Sequence, residues 1–121
     1  MKNPETEQPL GIIQSNFRME DLHSKLCLEA SALIEAKNHD YTAGGSPFAN
    51  FEMSSVIGID PRKGILLRML DKIKRLETAT QDELQVKNES VRDSVLDIIN
   101  YAVLYYGLHC ELIDNKAQAK E

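Results

Sequence analysis

Three acidic residues stand four positions apart, at Glu89, Asp93 and Asp97, and Asn100 follows three positions after the last of them. In a helix, residues three or four apart share a face, so this spacing predicts one polar stripe. Each neighbouring pair of like charges costs roughly 0.2–0.5 kcal/mol in an isolated helix. The acidic row therefore indicates a cationic partner, either a divalent metal ion or a set of Lys and Arg side chains.

A basic stripe with the same kind of spacing precedes it, formed by Arg68, Lys72 and Arg75 with Asp71 among them. If the two stripes pack against each other, they form a salt-bridge network between helices. Alternatively, the carboxylates hold Mg²⁺ and the basic side chains hold phosphate, with a polyphosphate between them. Mg²⁺ commonly uses one or two carboxylates together with substrate phosphates. The residues alone leave both interpretations open.

The elements that must position these stripes are predicted to be helices, because apolar residues recur at intervals of three and four. The first helix is predicted from about Ser15 to Asn38, with Asp21, Lys25 and Glu29 as a ladder on its solvated outside. The second starts at Asp60-Pro61, an acidic N-cap before a proline, and runs to about Thr78. The third covers about Glu89 to Ile113.

Helical periodicity also predicts the core positions. They are Met19, Leu22, Leu26, Ala30 and Leu33 in the first helix, Ile65, Leu66, Met69, Leu70, Ile73 and Leu76 in the second, and Val91, Val95, Ile98 and Ala102 in the third. A short helix from Phe51 to Ile57, closed by Gly58, completes the set. The predicted fold class is all-α, a bundle of about four helices, without any strand.

Residues 39–51 are predicted to be a loop, because Gly44-Gly45 and Pro47 break helices. The segment is unusually aromatic, with Tyr41, Phe48 and Phe51 close together. Two interpretations stay open for these rings: hydrophobic anchors that pin the loop to the bundle, or a lid that stacks on a base.

The length of 121 residues indicates one domain, predicted at 15–113, with a flexible lead-in at 1–14 and a flexible tail at 114–121. A net charge of −5 disfavours a nucleic-acid duplex as partner. The chain shows neither a signal-peptide pattern nor a run of about 20 apolar residues, so a cytoplasmic protein without a membrane partner is expected. Cys27 and Cys110 are predicted to be buried free thiols.

Four blocks in order carry a resemblance to a known family: Lys37-Asn38-His39-Asp40-Tyr41, Phe48-Ala49-Asn50-Phe51, Gly64 to Leu76, and Glu89 to Ala102. In these blocks the chain resembles the nucleotide modification-associated domain family of bacteriophages and bacteria. That family is similar to the all-α, MazG-like NTP pyrophosphohydrolases. The resemblance implies a helical bundle that forms a homodimer or homotetramer. It also implies hydrolysis of a (deoxy)nucleoside triphosphate to a monophosphate and pyrophosphate, with Mg²⁺ as cofactor and Mn²⁺ as an alternative.

The resemblance also implies roles for individual residues. Metal ligands would be Glu89, Asp93 and Asp97, and acids that take part in catalysis would be Glu35, Asp40 and Asp93. Contacts to the nucleotide would come from Lys37, Tyr41, Phe48, Asn50, Arg68, Lys72, Arg75 and Asn100. Asp93 and Asn100 keep the family's seven-residue spacing.

The chain departs from the MazG-like pattern in two places. Ser90 stands where an acid would precede Asp93 by three residues, and the first helix has no Glu-x-x-Glu. Three hypotheses follow: a pyrophosphohydrolase, a non-catalytic protein that binds or sequesters nucleotides on the same scaffold, and a structural module whose charged stripes form salt bridges.

Overall fold

The computed structural model describes residues 17–42, 46, 48–82 and 87–120, apart from the side chains of 38–42 and 120. These residues form helices and no strand, which confirms the all-α prediction for this part of the chain. The elements are α1 (Met19–Thr42), α2 (Ala49–Glu52), a 3-10 helix (Met53–Ile57), α3 (Pro61–Gln81) and α4 (Asn88–Lys120). The predicted lead-in, residues 1–14, lies outside the described residues. None of the described helices is both long and apolar enough to cross a membrane.

α3 begins where the sequence predicts. Asp60 is its N-cap, Pro61 is the first helical residue, and Oδ1 of Asp60 accepts a hydrogen bond of 2.9 Å from the backbone N–H of Arg62. The guanidinium of Arg62 also donates to both carboxylate oxygens of Asp60. These hydrogen bonds, first from the side chain and then from the backbone of Arg62, lower the pKa of Asp60 from 3.8 to about 2.

Replacing Asp60 with Ala is expected to lower the free energy of unfolding at neutral pH by about 1–2 kcal/mol, the usual cost of losing an N-cap. Because the pKa of Asp60 is lower in the folded chain, its contribution is present above about pH 4 and is lost as the pH falls through about 2. In urea denaturation, the free energies of unfolding of wild type and variant should therefore become equal as the pH falls from about 4 to about 2. Asp71→Ala is the control, since the exposed Asp71–Arg75 pair within one helix contributes roughly 0.3–0.5 kcal/mol. If the difference in free energy of unfolding between wild type and Asp60→Ala is the same at about pH 4 and about pH 2, the lowered pKa of Asp60 is contradicted.

α4 is the central element, because it packs against both α1 and α3. α3 runs antiparallel to it: Nη1 of Arg62 donates to Nδ1 of His109 at 3.0 Å, and Lys72 further along α3 pairs with Asp97 earlier in α4. Among the described residues, the fully buried apolar side chains belong to Ala30, Ile65, Leu96 and Leu108. The core is therefore a narrow seam along α4.

The segment between α1 and α3 is pinned to α4 by two aromatic rings. Phe48 lies so close to Gly107 that a Cβ on the glycine would come within 3.1 Å of Cζ of the ring. Phe51 packs edge-on against Tyr101, with ring centroids 6.4 Å apart. Gly58 then ends the 3-10 helix with φ of 78°, a left-handed conformation that favours glycine. For Phe48 and Phe51, the structure supports the interpretation as anchors; the side chain of Tyr41 lies outside the description.

Several predicted core positions are wrong. Leu66, Leu70 and Ile73 on α3 are exposed, as are Met19 on α1 and Ala102 on α4. The physical reason is that, among the described elements, α3 has only α4 as a long neighbour, so one narrow stripe of α3 is covered. On α4 the buried positions are instead Ser94, Leu96 and Leu108.

Two helices end later than predicted, α1 also begins four residues later, at Met19, and the cysteines differ from expectation. α1 continues to Thr42, into the predicted loop, and α4 continues to Lys120, through most of the predicted tail. Cys27 is exposed, with its sulfur 3.8 Å from Nδ1 of His23, and Cys110 is only partly buried. Both are free thiols, as predicted, but the prediction of burial is wrong for Cys27.

Candidate functional site

One carboxylate of the acidic stripe lies where three helices meet. Oδ2 of Asp97 on α4 is 3.1 Å from Nζ of Lys72 on α3, and Oδ1 is 3.6 Å from Nζ of Lys37 on α1. The side chains of Asp97 and Lys72 are only 19% and 17% exposed, whereas Lys37 is half exposed. We refer to these three residues as the Lys–Asp–Lys junction.

Local spacing explains how α1 reaches this junction. Nδ2 of Asn100 donates a 3.0 Å hydrogen bond to the backbone carbonyl of Ala30, which is buried on α1. Lys37 follows Ala30 by seven residues, about two turns, so it lies on the same side of α1. Asp97 precedes Asn100 by three residues and shares its side of α4. The amide of Asn100, predicted as a nucleotide contact, thus fixes how α1 sits on α4.

A second ion pair joins the same two helices. Arg92 on α4 contacts Oε2 of Glu29 on α1, a buried atom with no other hydrogen-bond partner among the described residues. Glu29 was expected on the solvated outside of its helix, and that expectation is wrong. Together with Asn100, this pair sets the position of α1 over the first half of α4.

A cavity of about 250 Å³ adjoins the junction, between the last turns of α3 and the first turns of α4. A larger cavity, of about 340 Å³, lies away from the junction at the start of α3. Four of the five residues that line the smaller cavity carry a polar side chain; the five are Arg75, Thr78, Ser90, Val91 and Ser94. Ser94 precedes Asp97 by three residues, so the cavity opens within one turn of the junction. A guanidinium and three hydroxyl groups are suitable donors to an anion.

The predicted metal ligands are not gathered into one group. Glu89 and Asp93 are exposed, and the described part of the chain brings no three His, Cys, Asp or Glu side chains together for a metal ion. Asp97 faces two ammonium groups instead. Asp93 and Asp97 are nevertheless one turn apart on one side of α4, and two carboxylates suffice for a Mg²⁺ ion that phosphates help to hold. The donor set thus fits a single such ion and does not fit a cluster of several.

The remaining predicted site residues lie at varying distances from the junction. Glu35 is exposed, and because it precedes Lys37 by two residues it lies about 160° away around α1. The side chains of Asp40 and Tyr41 are outside the description. Phe48 packs at Gly107, ten residues or about 15 Å along α4 from Asp97. Asn50 is exposed on α2.

Two predicted phosphate ligands flank Lys72 on α3. Arg68, one turn before it, is exposed. Arg75 lines the small cavity, and its guanidinium lies 3.7 Å from Asp71 in an exposed pair within the helix. Of the basic stripe, the structure therefore brings Lys72 and Arg75 to the junction and its cavity.

The structure adds residues that the sequence did not single out, namely Thr78, Arg92 and Ser94, and it gives Glu29 a partner on α4 in place of a solvated position. Helical spacing carried part of the signal, since Arg92 lies beside the acidic row and Ser94 shares a helix side with Val91 and Ile98, three and four residues away. Which cation each acid would meet depends on how the helices cross, and spacing within one helix does not contain that information.

The junction and cavity together carry more positive than negative charge. Lys37, Lys72 and Arg75 supply three cations, while Asp97 and Asp71 supply two carboxylates. With hydroxyl donors beside them, these groups can hold an anion such as a phosphate. Comparisons with models of protein families, with curated proteins and with solved structures find no match to this chain.

Proposed function

We propose that the protein is a Mg²⁺-dependent nucleoside triphosphate pyrophosphohydrolase that acts on (deoxy)nucleotides and releases a monophosphate and pyrophosphate. One observation carries the proposal: a partly buried carboxylate, Asp97, lies between two lysines from two other helices, beside a cavity lined by Arg75 and three hydroxyl residues. The sequence resemblance supplies the reaction. It also places the protein in phage or bacterial nucleotide metabolism and implies a homodimer or homotetramer.

The lysines have a specific role in this proposal. In the absence of nucleotide they neutralise Asp97, and a polyphosphate would draw their ammonium groups to its own oxygens. Asp97 would then be free to act with Asp93 as a metal ligand, and Glu89 lies one turn further on the same stripe. When bound by Asp93 and Asp97, Mg²⁺ would polarise the α-phosphate and lower the pKa of an attacking water.

Arg75 and the serines of the small cavity would bind the β- and γ-phosphates, which leave as pyrophosphate. Arg92 stays paired with Glu29, and Asn100 stays bonded to Ala30, so both hold α1 in place while the lysines exchange partners. In this proposal, Asn100 is a positioning residue.

A second candidate, a non-catalytic nucleotide-binding or sequestering protein, is favoured by one specific observation. Among the described residues, no third acid joins Asp93 and Asp97 at a metal-binding distance, and Glu35 lies on another side of α1. Such a protein would bind the polyphosphate through the same lysines and leave it intact.

The two candidates separate in one experiment. The protein is incubated with each NTP and dNTP in Mg²⁺, in Mn²⁺ and in a chelator, and pyrophosphate and monophosphate are quantified. Release of both products in equal amounts with metal, and none with chelator, is the expected result. Intact nucleotide recovered from the denatured protein, without any product, would favour the binding protein instead.

Asp93→Asn sharpens this test. Because Asp93 is a metal ligand in this proposal, the substitution should abolish product release. Because Asp93 is exposed and has no ion pair with a described residue, the substitution should not lower the melting temperature. Removal of a like charge next to Asp97 should if anything stabilise α4 by roughly 0.2–0.5 kcal/mol. A marked loss of stability in metal-free buffer would point to a structural role for Asp93.

A further inference from the structure

The cavity at the start of α3 lies apart from the candidate site and has no role in the proposed function. Its volume of about 340 Å³ falls within the range of about 300–1,000 Å³ that small-molecule sites occupy, and it lies between the start of α3 and the last third of α4. Arg62 on its wall precedes Lys72 of the junction by ten residues, about 15 Å along α3. Its lining combines charged side chains, Asp60, Arg62 and Lys116, with apolar ones, Ile59, Pro61 and Leu112.

The guanidinium of Arg62 is held in place from two sides. Its Nε donates to Oδ1 of Asp60 at 3.1 Å and its Nη2 donates to Oδ2 at 2.6 Å. Its Nη1 donates to Nδ1 of His109 on α4 at 3.0 Å. The His109 ring in turn lies parallel to the ring of Tyr105, one turn earlier, with centroids 6.2 Å apart. Because the side chain of Arg62 is 22% exposed and lines the cavity, it presents a pre-oriented guanidinium there.

Two donors of this guanidinium remain for a ligand. Arginine has five N–H donors, and the contacts with Asp60 and His109 use one on each nitrogen. One N–H on Nη1 and one on Nη2 are left, and neither has an acceptor among the described residues. Two N–H groups of one guanidinium match the two oxygens of a carboxylate, which they bind as a bidentate pair.

The charges that line the cavity favour an anion with a single charge. Arg62 and Lys116 are cations and Asp60 is a carboxylate, so one positive charge is left over. Lys116 lies close enough to Asp60 to help lower the pKa of that carboxyl group. A monocarboxylate balances the remaining charge, whereas a phosphate monoester, which carries about −1.5 to −2 at neutral pH, exceeds it.

The apolar part of the lining indicates the rest of the ligand. Ile59, Pro61 and Leu112 offer hydrocarbon surface beside the charged groups, as is typical of small-molecule sites. We propose that this cavity binds a small organic monocarboxylate, whose carboxylate accepts from Arg62 and pairs with Lys116 while its hydrocarbon part packs on the three apolar side chains. The site is separate from the Lys–Asp–Lys junction and does not depend on nucleotide hydrolysis.

The test is a titration of the ¹⁵N-labelled protein with hexanoate at constant ionic strength, followed by the chemical shifts of the backbone amides. Saturable shifts are expected at Gly58, Ile59 and Lys116, but not at Lys72 or Asp97. Acetate has the charge without the hydrocarbon part, and it is expected to bind at least about tenfold more weakly, because each buried CH₂ group strengthens binding about fourfold. Hexanamide has the hydrocarbon part without the charge and is expected not to bind.

Variants of the two cations test the site itself. Lys116→Met is expected to raise the dissociation constant of hexanoate at least about tenfold, because it removes a charged hydrogen-bond donor. Lys63→Met is the matched control: Lys63 is exposed and adjoins Arg62 but does not line the cavity, so the same loss of charge should leave the dissociation constant unchanged. Arg62→Lys keeps the charge without the bidentate geometry and should also weaken binding. If Arg62→Lys loses helicity, Lys116→Met decides.

The absence of saturable shifts at Gly58 and Ile59 would overturn the proposal, and so would equal binding of hexanamide or equal weakening by the two lysine variants. Shifts confined to Lys72 and Asp97 would overturn it as well. Hexyl phosphate that binds as tightly as hexanoate would overturn the choice of a monocarboxylate. Because the readout is the position of the shifted amides, a failure of this proposal is distinguishable from an absence of nucleotide hydrolysis.

Discussion

Asp97→Asn is expected to reduce pyrophosphate release by roughly 10²–10³-fold, the range that follows loss of one group that stabilises charge in a transition state. Asparagine keeps the shape of the side chain but removes its negative charge. The variant therefore neither offers a metal ion a charged oxygen beside Asp93 nor attracts the lysines in the nucleotide-free protein. Turnover with saturating nucleotide and Mg²⁺ is the measurement.

The same change also has a predicted cost in stability, which distinguishes Asp97 from Asp93. Lys72 is 17% exposed, and without Asp97 its ammonium group would lie partly buried without a counter-charge. Breaking a fully buried pair costs about 3–5 kcal/mol, and solvent at this half-open site reduces that to roughly 1–2 kcal/mol. Asp114→Asn, an exposed acid on the same helix, is the control and should change neither property. Full turnover by Asp97→Asn, with a normal melting temperature, would contradict both the catalytic and the stabilising role of Asp97.

Leu108→Ala is expected to lower the free energy of unfolding by about 2–5 kcal/mol, the range for truncating a buried leucine. Leu108 is 2% exposed and lies on the face of α4 that packs on α3. With so few fully buried apolar side chains in the described residues, little surrounding core is present to collapse into the cavity. The loss should therefore fall in the upper part of that range.

The measurement is urea denaturation at a fixed protein concentration, since subunit association would make stability depend on concentration. Leu28→Ala is the control: its side chain is mostly exposed, and the change should stay within about 0.5 kcal/mol. A loss below about 1 kcal/mol for Leu108→Ala would mean that the α3–α4 contact contributes little to the fold.

The positions of the helices could be predicted from the sequence because their signals are local. Asp60 and Pro61 mark the start of α3, and Gly58 marks the end of the 3-10 helix; each acts through its own backbone conformation. The end of α1 was predicted four residues too early, at Asn38, because the apolar repeat stops at Ala36; the helix continues through the polar residues that follow and ends at Thr42, shortly before Gly44-Gly45.

Which apolar stripe is covered could not be predicted. Leu66 and Ile65 are neighbours of equal hydrophobicity, yet Ile65 is completely buried and Leu66 is 43% exposed. The difference arises because α3 has one long neighbour, α4, in the part of the chain that the structure describes. Periodicity indicates an apolar side of a helix without indicating what packs on it.

The sequence predicted which residues form the candidate site, but it did not predict which of them pair with each other. Asp97, Lys72 and Lys37 each came from the sequence, but their meeting depends on the crossing of three helices. Interhelical salt bridges and a phosphate site were both open, and the structure contains one pair between the two stripes, Lys72–Asp97, to which Lys37 on α1 adds a second. Those same ion pairs become a phosphate site only if a ligand displaces Asp97 from the lysines.

The most direct test of that exchange is the binding of a non-hydrolysable nucleoside triphosphate, measured by isothermal titration calorimetry with Mg²⁺. Lys72→Met should raise the dissociation constant at least about tenfold, which corresponds to about 1.4 kcal/mol. Lys74→Met, an exposed lysine two residues further on and about 160° away around α3, should leave the dissociation constant unchanged. No binding by the wild type, or equal weakening by both substitutions, would contradict a nucleotide site at the Lys–Asp–Lys junction.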